Sequence, residues 1–191
     1  MTDERHVLVI FPHPDDETFS SAGTIASYIE KGIPVTYACL TLGHMGRNLG
    51  NPPFATRESL PFIRERELEE ACKAIGITDL RKMGLRDKTV EFEPYDQMDQ
   101  MIQSLIDETN PSLIISFYPK FAVHPDHEAT AEAVVRTVGR MHESDRPRLT
   151  LVAFSNDASE ILGEPDIQND ISQYSDIKLK AFEAHASQTG P

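Results

Sequence analysis

Apolar residues are concentrated in five short segments, and longer segments between them repeat apolar residues every three or four positions. The short segments predict strands, and most of them show no polar alternation, which is typical of strands buried on both faces of a parallel sheet. Alternating strands and helices predict an α/β three-layer sandwich, with a mainly parallel, Rossmann-like sheet and helices on both faces. The predicted strands span 7–11, 35–42, 80–85, 113–117 and 149–154.

The repeating apolar positions predict four helices whose apolar stripes begin at Phe19, Ile63, Met98 and Ala131. A last predicted helix begins at Ser172. Glycine or proline follows the first three stripes, as expected at helix ends. The segment Ile167–Ile171 alternates polar and apolar residues after Pro165, which favours a short strand at the sheet edge.

A histidine and three acids follow the first strand directly, in the order His13, Pro14, Asp15, Asp16 and Glu17. The acids alone suit the N-terminus of the following helix, where they can cap it and interact with its dipole. This capping role does not account for His13. Adjacent carboxylates also repel one another unless a cation or hydrogen-bond donors hold them.

A second cluster, His124-Pro125-Asp126-His127, follows the fourth predicted strand. Parallel α/β proteins place their sites beyond the carboxyl ends of strands, where the strand order reverses. With the order 3-2-1-4-5, that point lies between strands one and four. We therefore expect the two His/Asp clusters to meet in one pocket.

Imidazole nitrogen and carboxylate oxygen are ligands that suit Zn²⁺, and three protein ligands are typical of a catalytic zinc. Zinc lowers the pKa of a bound water to about 7, and a nearby carboxylate can take the proton during attack on a carbonyl. A further histidine can stabilise the oxyanion or protonate the leaving group. These residue types leave open which aspartate is the ligand and which is the base.

The formal net charge of −13 and the absence of a basic stripe exclude nucleic acid as an expected partner. No apolar run approaches 18 residues and the N-terminus is charged, so we expect no membrane association and a cytoplasmic protein.

Residues 1–191 are expected to form one domain. Cys39 and Cys72 lie in apolar patterns and are interpreted as buried thiols. Gly43, Gly46 and Gly50 do not form a dinucleotide fingerprint.

The two clusters resemble the signatures of the LmbE/PIG-L family of zinc-dependent N-deacetylases, and weaker matches extend over nearly the whole chain. The resemblance implies one zinc per chain, held by His13, Asp16 and His127. It also implies Asp15 as the general base, and His124 as oxyanion stabiliser or general acid, oriented by Asp126.

The resemblance further implies that Arg64 and Asp87 contact sugar hydroxyls, and that His185, where many members have tyrosine, contacts the substrate or the oxyanion. The loop 43–48 resembles the bacillithiol-biosynthesis branch, whose substrate is N-acetylglucosaminyl malate. Arg47 and Arg57 are candidates to bind the malate carboxylates, although both also suit surface ion pairs. The loop itself is either a substrate lid or a plain connector.

The function predicted from the sequence is therefore removal of an acetyl group from a small N-acetyl amino-sugar conjugate. The alternatives are hydrolysis of another bond, such as a phosphoester, and a sugar-binding module without catalysis. Two-metal phosphoesterases normally need more bridging carboxylates than these motifs offer. The resemblance also implies a homo-oligomer, a trimer or hexamer.

Overall fold

A computed structural model of the protein describes residues 4–189 and contains a five-stranded, all-parallel sheet in the order β3-β2-β1-β4-β5. The predicted fold class and strand order are confirmed. Because β1 lies between β2 and β4, the carboxyl ends of β1 and β4 are neighbours. The strands are β1 Val7–Phe11, β2 Val35–Thr41, β3 Asp79–Leu85, β4 Leu113–Phe117 and β5 Arg148–Val152.

Each connection between strands includes a helix, as parallel pairing requires. The α-helices are α1 Asp16–Glu30, α2 Leu60–Ile75, α3 Tyr95–Thr109, α4 Pro125–Arg140, α5 Ala158–Leu162, α6 Ser175–Ala184 and α7 Ala186–Thr189. Short 3₁₀ turns cover Val90–Phe92, Glu143–Asp145 and Ser172–Tyr174.

The two faces of the sheet are covered by different helices, because alternate strand residues point to opposite sides. On one side Val9 packs in a core with Ile25 of α1 and Leu68 of α2. On the other side Ile10 packs in a second core with residues of α3 and α4, including Ile102. Among residues 4–189, no helix combines the length and apolar character needed to cross a bilayer.

Two local predictions differ from the structure. The edge strand predicted over Ile167–Ile171 is wrong, because this segment forms no strand and Ile171 packs against α1. A Cβ added at Gly23 of α1 would lie 2.6 Å from the Cβ of Ile171, which shows how closely the two meet. The last helix, predicted over residues 172–185, begins as the 3₁₀ turn Ser172–Tyr174 and continues as α6, and α7 follows it as a separate short helix.

Helices α3 and α4 are joined by a cluster of charges centred on Asp99. The Nε atom of Arg136 lies 2.8 Å from Asp99 Oδ1, and Arg140 also contacts this carboxylate. Hydrogen bonds from Arg136 hold the pKa of Asp99 below its usual value, even though burial opposes the shift. A carboxylate whose pKa is lower in the folded state stabilises the fold at pH values above its unfolded-state pKa. This stabilisation is lost as the pH falls through its folded-state pKa.

We expect Asp99→Asn to lower the free energy of unfolding at pH 7 by about 1–3 kcal/mol, because two arginines lose a charged partner. The difference from wild type should shrink as the pH falls below about 4, where the wild-type carboxylate also takes up a proton. Urea unfolding of both proteins at pH 7 and below about pH 4 measures this difference in the free energy of unfolding. Asp96→Asn, at an exposed position of the same helix, should change stability by less than about 0.5 kcal/mol. Equal losses in the two variants would contradict a specific role for Asp99.

Candidate metal centre and active site

The turn between β1 and α1 has an unusual backbone at Asp15, whose φ is 100°. This left-handed conformation is uncommon for any residue other than glycine, though Asp and Asn tolerate it best. The Asp15 N–H donates to Glu17 Oε2 at 3.1 Å, and the Asp15 carbonyl accepts from Phe19 N at 2.9 Å. These bonds hold the strained turn, which aims His13 and Asp16 toward the end of β4.

Three side chains from the two predicted clusters converge there. His13 Nδ1 lies 3.1 Å from His127 Nε2 and 3.6 Å from Asp16 Oδ2. His127 Nε2 lies 3.3 Å from Asp16 Oδ1. Ligands of a tetrahedral zinc with bonds of about 2.0–2.1 Å are about 3.3 Å apart, so these separations suit one ion shared by the three residues.

The other nitrogen of the His13 ring faces two buried acids. His13 Nε2 lies 3.1 Å from Asp126 Oδ2 and 3.3 Å from Asp87 Oδ1. Burial by itself would lower the pKa of His13, but the bonds to Asp126 and Asp87 and the charge of Asp16 raise it to about 10. A proton held at Nε2 leaves the Nδ1 position for a metal ion, which must displace any proton there.

His127 is oriented in a similar way, through a backbone carbonyl. Its Nδ1 lies 3.0 Å from Ala122 O, so Nδ1 carries the proton and the lone pair of Nε2 faces Asp16. The ring of Phe117, at the end of β4, stacks on His127 with centroids 4.2 Å apart. Both histidines therefore present one free nitrogen to the same point, as ligating histidines do.

His13 also forms a group of potential ligands with His124 and His127, and another group, on its Nε2 side, with Asp87 and Asp126. Their oxygens already accept backbone hydrogen bonds: Asp126 from Lys88 N at 2.7 Å and Val90 N at 3.2 Å, and Asp87 from Met45 N at 2.6 Å. Burial opposes ionisation of Asp87, but the bond and charge of His13 lower its pKa to about 2. These carboxylates therefore suit hydrogen bonding to His13 better than holding an ion.

Asp15 points its carboxylate at an arginine from α2. Arg64 Nη2 lies 2.8 Å from Asp15 Oδ2, and the same guanidinium donates to Gly43 O and Pro14 O. Burial, with the charge of Asp16, raises the pKa of Asp15 to about 7, although Arg64 opposes the shift. A carboxylate that titrates near neutral pH and is held by one fixed cation is suited to proton transfer.

His124 completes the cluster at the start of α4. Its Nδ1 accepts from Asp126 N at 3.1 Å, which caps the helix and leaves Nε2 available. Its ring centroid lies 4.9 Å from that of His13 and 5.2 Å from that of His127. Burial, followed by the charges of His13 and His127, lowers the pKa of His124. The His124 imidazole is therefore close enough to act on a group bound where His13 and His127 meet.

Comparison with known proteins agrees with this geometry. The model of the PIG-L family, described as GlcNAc-PI de-N-acetylase, matches residues 8–138. A protein of Bacillus anthracis, named "Probable N-acetyl-alpha-D-glucosaminyl L-malate deacetylase 2", is 54% identical over 188 residues, which are 98% of this chain and 83% of the relative.

The chain belongs to the PIG-L family. A solved structure of this fold, N,N'-diacetylchitobiose deacetylase from Pyrococcus horikoshii, matches with a TM-score of 0.74 and 26% identity over 97% of this chain and 71% of that one. The 4-carboxy-2-hydroxymuconate hydratase of Pseudomonas putida has a TM-score of 0.77 at 19% identity over 96% of this chain and 80% of that one, a likeness of fold alone.

One predicted contact of this PIG-L chain needs correction. The sequence analysis assigned Asp126 to orient His124, yet the Asp126 carboxylate bonds to His13 and to two backbone amides. Only the backbone N–H of Asp126 contacts the His124 ring. The reason is helical geometry: residues two apart at a helix start point in different directions, so the carboxylate faces β1.

His185 is buried behind the turn between β1 and α1. Its ring is 0% exposed, and its Nε2 lies 2.8 Å from Glu17 Oε1. Burial would lower the pKa of His185, but the bond and charge of Glu17 raise it. Glu17 also accepts from Tyr37 and from Asp15 N, so His185 supports the strained turn, and its contact with the substrate or the oxyanion stays a prediction.

The remaining predicted substrate residues occupy two environments. Arg64 and Asp87 are buried beside the cluster, at 4% exposure each, and their contacts with sugar hydroxyls stay predictions. Arg57 donates to Gly46 O at 2.8 Å, while Arg47 is exposed on the loop. Gln188 and Asn48 exchange hydrogen bonds, so the loop is tied to α7. These contacts favour a fixed wall over a mobile lid.

Sequence reasoning missed several supporting groups. Glu17 belonged to a recognised acidic motif, and its complete burial could not be read from the motif. Glu67 accepts from Ser187 N and Oγ at 2.7 and 2.6 Å, which anchors α7. The backbone groups of Ala122, Lys88 and Val90 leave no side-chain signal, because any residue type supplies them.

Gly43 makes the position of Arg64 possible. A Cβ added at residue 43 would lie 1.9 Å from Arg64 Nη1, and the backbone φ of Gly43 is +62°. We expect Gly43→Ala to displace the guanidinium from Asp15 and to lower kcat by at least about tenfold, since small displacements of catalytic groups are costly. Steady-state hydrolysis of an N-acetylglucosaminide measures this.

Gly32→Ala is the matched control. Gly32 also has a positive φ, +74°, but nothing lies within 4 Å of its added Cβ. Both variants should lose about 1–2 kcal/mol of stability from backbone strain. Gly43→Ala should lose more than Gly32→Ala because its Cβ also meets Arg64, and only Gly43→Ala should lose activity. Full activity of Gly43→Ala would show that Arg64 is not needed where the structure places it.

Proposed function

We propose that this protein hydrolyses the acetyl amide of an N-acetylglucosaminide, specifically N-acetylglucosaminyl malate, as a step in bacillithiol biosynthesis. The observation that carries the proposal is the convergence of His13 Nδ1, Asp16 and His127 Nε2 within 3.1–3.6 Å. The activity named for the relative at 54% identity supports the choice of bond and substrate. An intracellular location and a homo-oligomeric state remain predictions.

His13, Asp16 and His127 would hold one zinc ion per chain, and the donor set of two imidazoles and one carboxylate suits that metal. When bound, the ion would supply a Lewis acid for the amide carbonyl and lower the pKa of a bound water to about 7. The hydrogen bonds of His13 Nε2 to Asp126 and of His127 Nδ1 to the Ala122 carbonyl would keep both rings oriented for this task.

Asp15 is proposed as the general base. As a water oxygen adds to the acetyl carbon, the Asp15 carboxylate accepts one proton from that water. Arg64 holds Oδ2 of this carboxylate at 2.8 Å and so limits the orientations it can take. The carbon–nitrogen bond then breaks, the nitrogen takes a proton, and the products are acetate and the free amine.

His124 is proposed to donate a hydrogen bond to the developing oxyanion or a proton to the departing nitrogen. Its Nδ1 accepts from the Asp126 backbone, which requires the donor proton to be on Nε2. That assignment presents an N–H group on the side of the ring away from the helix. Loss of such a donor typically costs about 10²–10³ in rate.

Phosphoester hydrolysis by two metals is less well supported by the arrangement. The acids nearest the three ligands, Asp87 and Asp126, have their oxygens engaged by backbone N–H groups and by His13. A sugar-binding module without catalysis leaves the Asp15–Arg64 pair without a purpose. Incubation with N-acetylglucosaminyl malate and simpler N-acetyl sugars, followed by assays for amine, acetate and phosphate, separates the three functions.

We expect Asp15→Asn to lower kcat about 10²–10⁴-fold while the protein still binds about one zinc per chain, because Asp15 acts as base and is not a ligand. Metal analysis and steady-state kinetics of the same preparation provide both measurements. Asp96→Asn, far along the chain on α3, serves as the charge-matched control. Wild-type kcat in Asp15→Asn would rule out its assigned role.

Removal of metal by a chelator should abolish hydrolysis, and about one equivalent of zinc per chain should restore it. His127→Ala should lose both zinc and activity, because it removes one of three ligands. An enzyme that stays fully active at less than about a tenth of an equivalent of any divalent metal would contradict the metal centre.

A further inference from the structure

A cavity of about 370 Å³ lies between the loop after β2 and the carboxyl end of β3. The residues that line it include His44 and Met45 from the loop, Arg57 and Glu58 before α2, and Arg86 after β3. Of these, the sequence analysis assigned a role only to Arg57.

The cavity is next to the metal centre. Met45 on its wall donates its N–H to Asp87 Oδ2 at 2.6 Å, and Asp87 Oδ1 lies 3.3 Å from His13 Nε2. β3 is two strands away from β1, which corresponds to about 10 Å across the sheet. A sugar with its acetamide at the metal centre could therefore reach the cavity with the group joined to its anomeric carbon.

Two cations on the cavity wall have unused donors. Among residues 4–189, no hydrogen bond or ion pair is seen for the Arg86 side chain, while Arg57 uses only Nη1, toward His44 O and Gly46 O. The Nδ1 atom of His44 is also buried and has no hydrogen-bond partner. In a chain with a net charge of −13, two such guanidinium groups on one cavity favour an anionic ligand.

Glu58 also lines the cavity and opposes an anion. Hydrogen bonds from its own N–H and from Thr56, followed by the charge of Arg57, lower its pKa, so Glu58 stays charged and offsets part of the charge of Arg57. The balance on the wall is thus two arginines against one glutamate. This balance predicts opposite effects of removing Arg86 and removing Glu58.

We propose that this cavity binds the carboxylates of the acid joined to the sugar, and that Arg86, together with Arg57, determines specificity for such anionic glycosides. The inference rests on the proposed deacetylase function, which it extends by assigning a subsite. Bidentate guanidinium–carboxylate pairing would fix the acid and thereby position the acetamide at the metal centre.

The test compares N-acetylglucosaminyl malate with the uncharged methyl N-acetylglucosaminide as substrates of the zinc-loaded enzyme. Arg86→Ala should raise KM for the malate substrate about 10–100-fold and leave kcat/KM for the methyl glycoside within about twofold. Arg86→Lys should recover only part of the loss, because lysine keeps the charge and loses the bidentate geometry. Glu58→Gln should lower KM for the malate substrate.

Arg66→Ala is the matched control, since it removes one exposed arginine of α2 that does not line the cavity. Equal losses of Arg86→Ala on both substrates, or no loss on either, would overturn the subsite while leaving deacetylation established. Absence of hydrolysis of both substrates by wild type would instead refute the proposed function. In that case calorimetric titration with L-malate tests the subsite on its own. The proposal predicts that wild type binds L-malate and that Arg86→Ala weakens this binding at least about tenfold.

Discussion

The two-sided use of the His13 imidazole is the constraint on which the site depends. One ring nitrogen is held by Asp126 and Asp87. Backbone N–H groups from the segment after β3 fix Asp126, and the N–H of Met45 in the loop after β2 fixes Asp87. The other nitrogen meets His127 and Asp16. Because three segments of the chain fix a single ring, the ligand position is determined by the packing of the sheet as well as by the first motif.

The three successive acids after β1 are tolerated because each has a different partner. Asp15 faces Arg64, Asp16 faces the two histidines, and Glu17 is buried against His185 and Tyr37. The repulsion among the three carboxylates is thereby offset, because each one has its own hydrogen-bond or charge partner. The same division suits the proposed roles of Asp15 in proton transfer and Asp16 in metal binding, while Glu17 supports the strained turn.

The architecture alone does not determine the reaction. A hydratase has a closely similar fold at 19% identity, and a chitobiose deacetylase matches about as well. What distinguishes this chain is the chemistry at the carboxyl ends of β1 and β4, and the cations near the end of β3. Function in such folds belongs to the site, so the assignment depends on residues such as His13 and Arg64.

The sequence by itself predicted the strands and helices of a parallel α/β sheet, because continuous apolar runs and helix stripes are strong local signals. The strand order and the meeting of the two His/Asp clusters followed from the usual arrangement of Rossmann-like sheets, and the structure confirmed the order. The choice of Asp16 as a metal ligand and of Asp15 as the base came from the resemblance and stays a prediction. Only the tertiary structure decided that Asp126 serves His13, that His185 is buried under Glu17, and that Arg86 lines a cavity. Those facts depend on side-chain direction and on long-range backbone contacts, which no local pattern of residue types encodes.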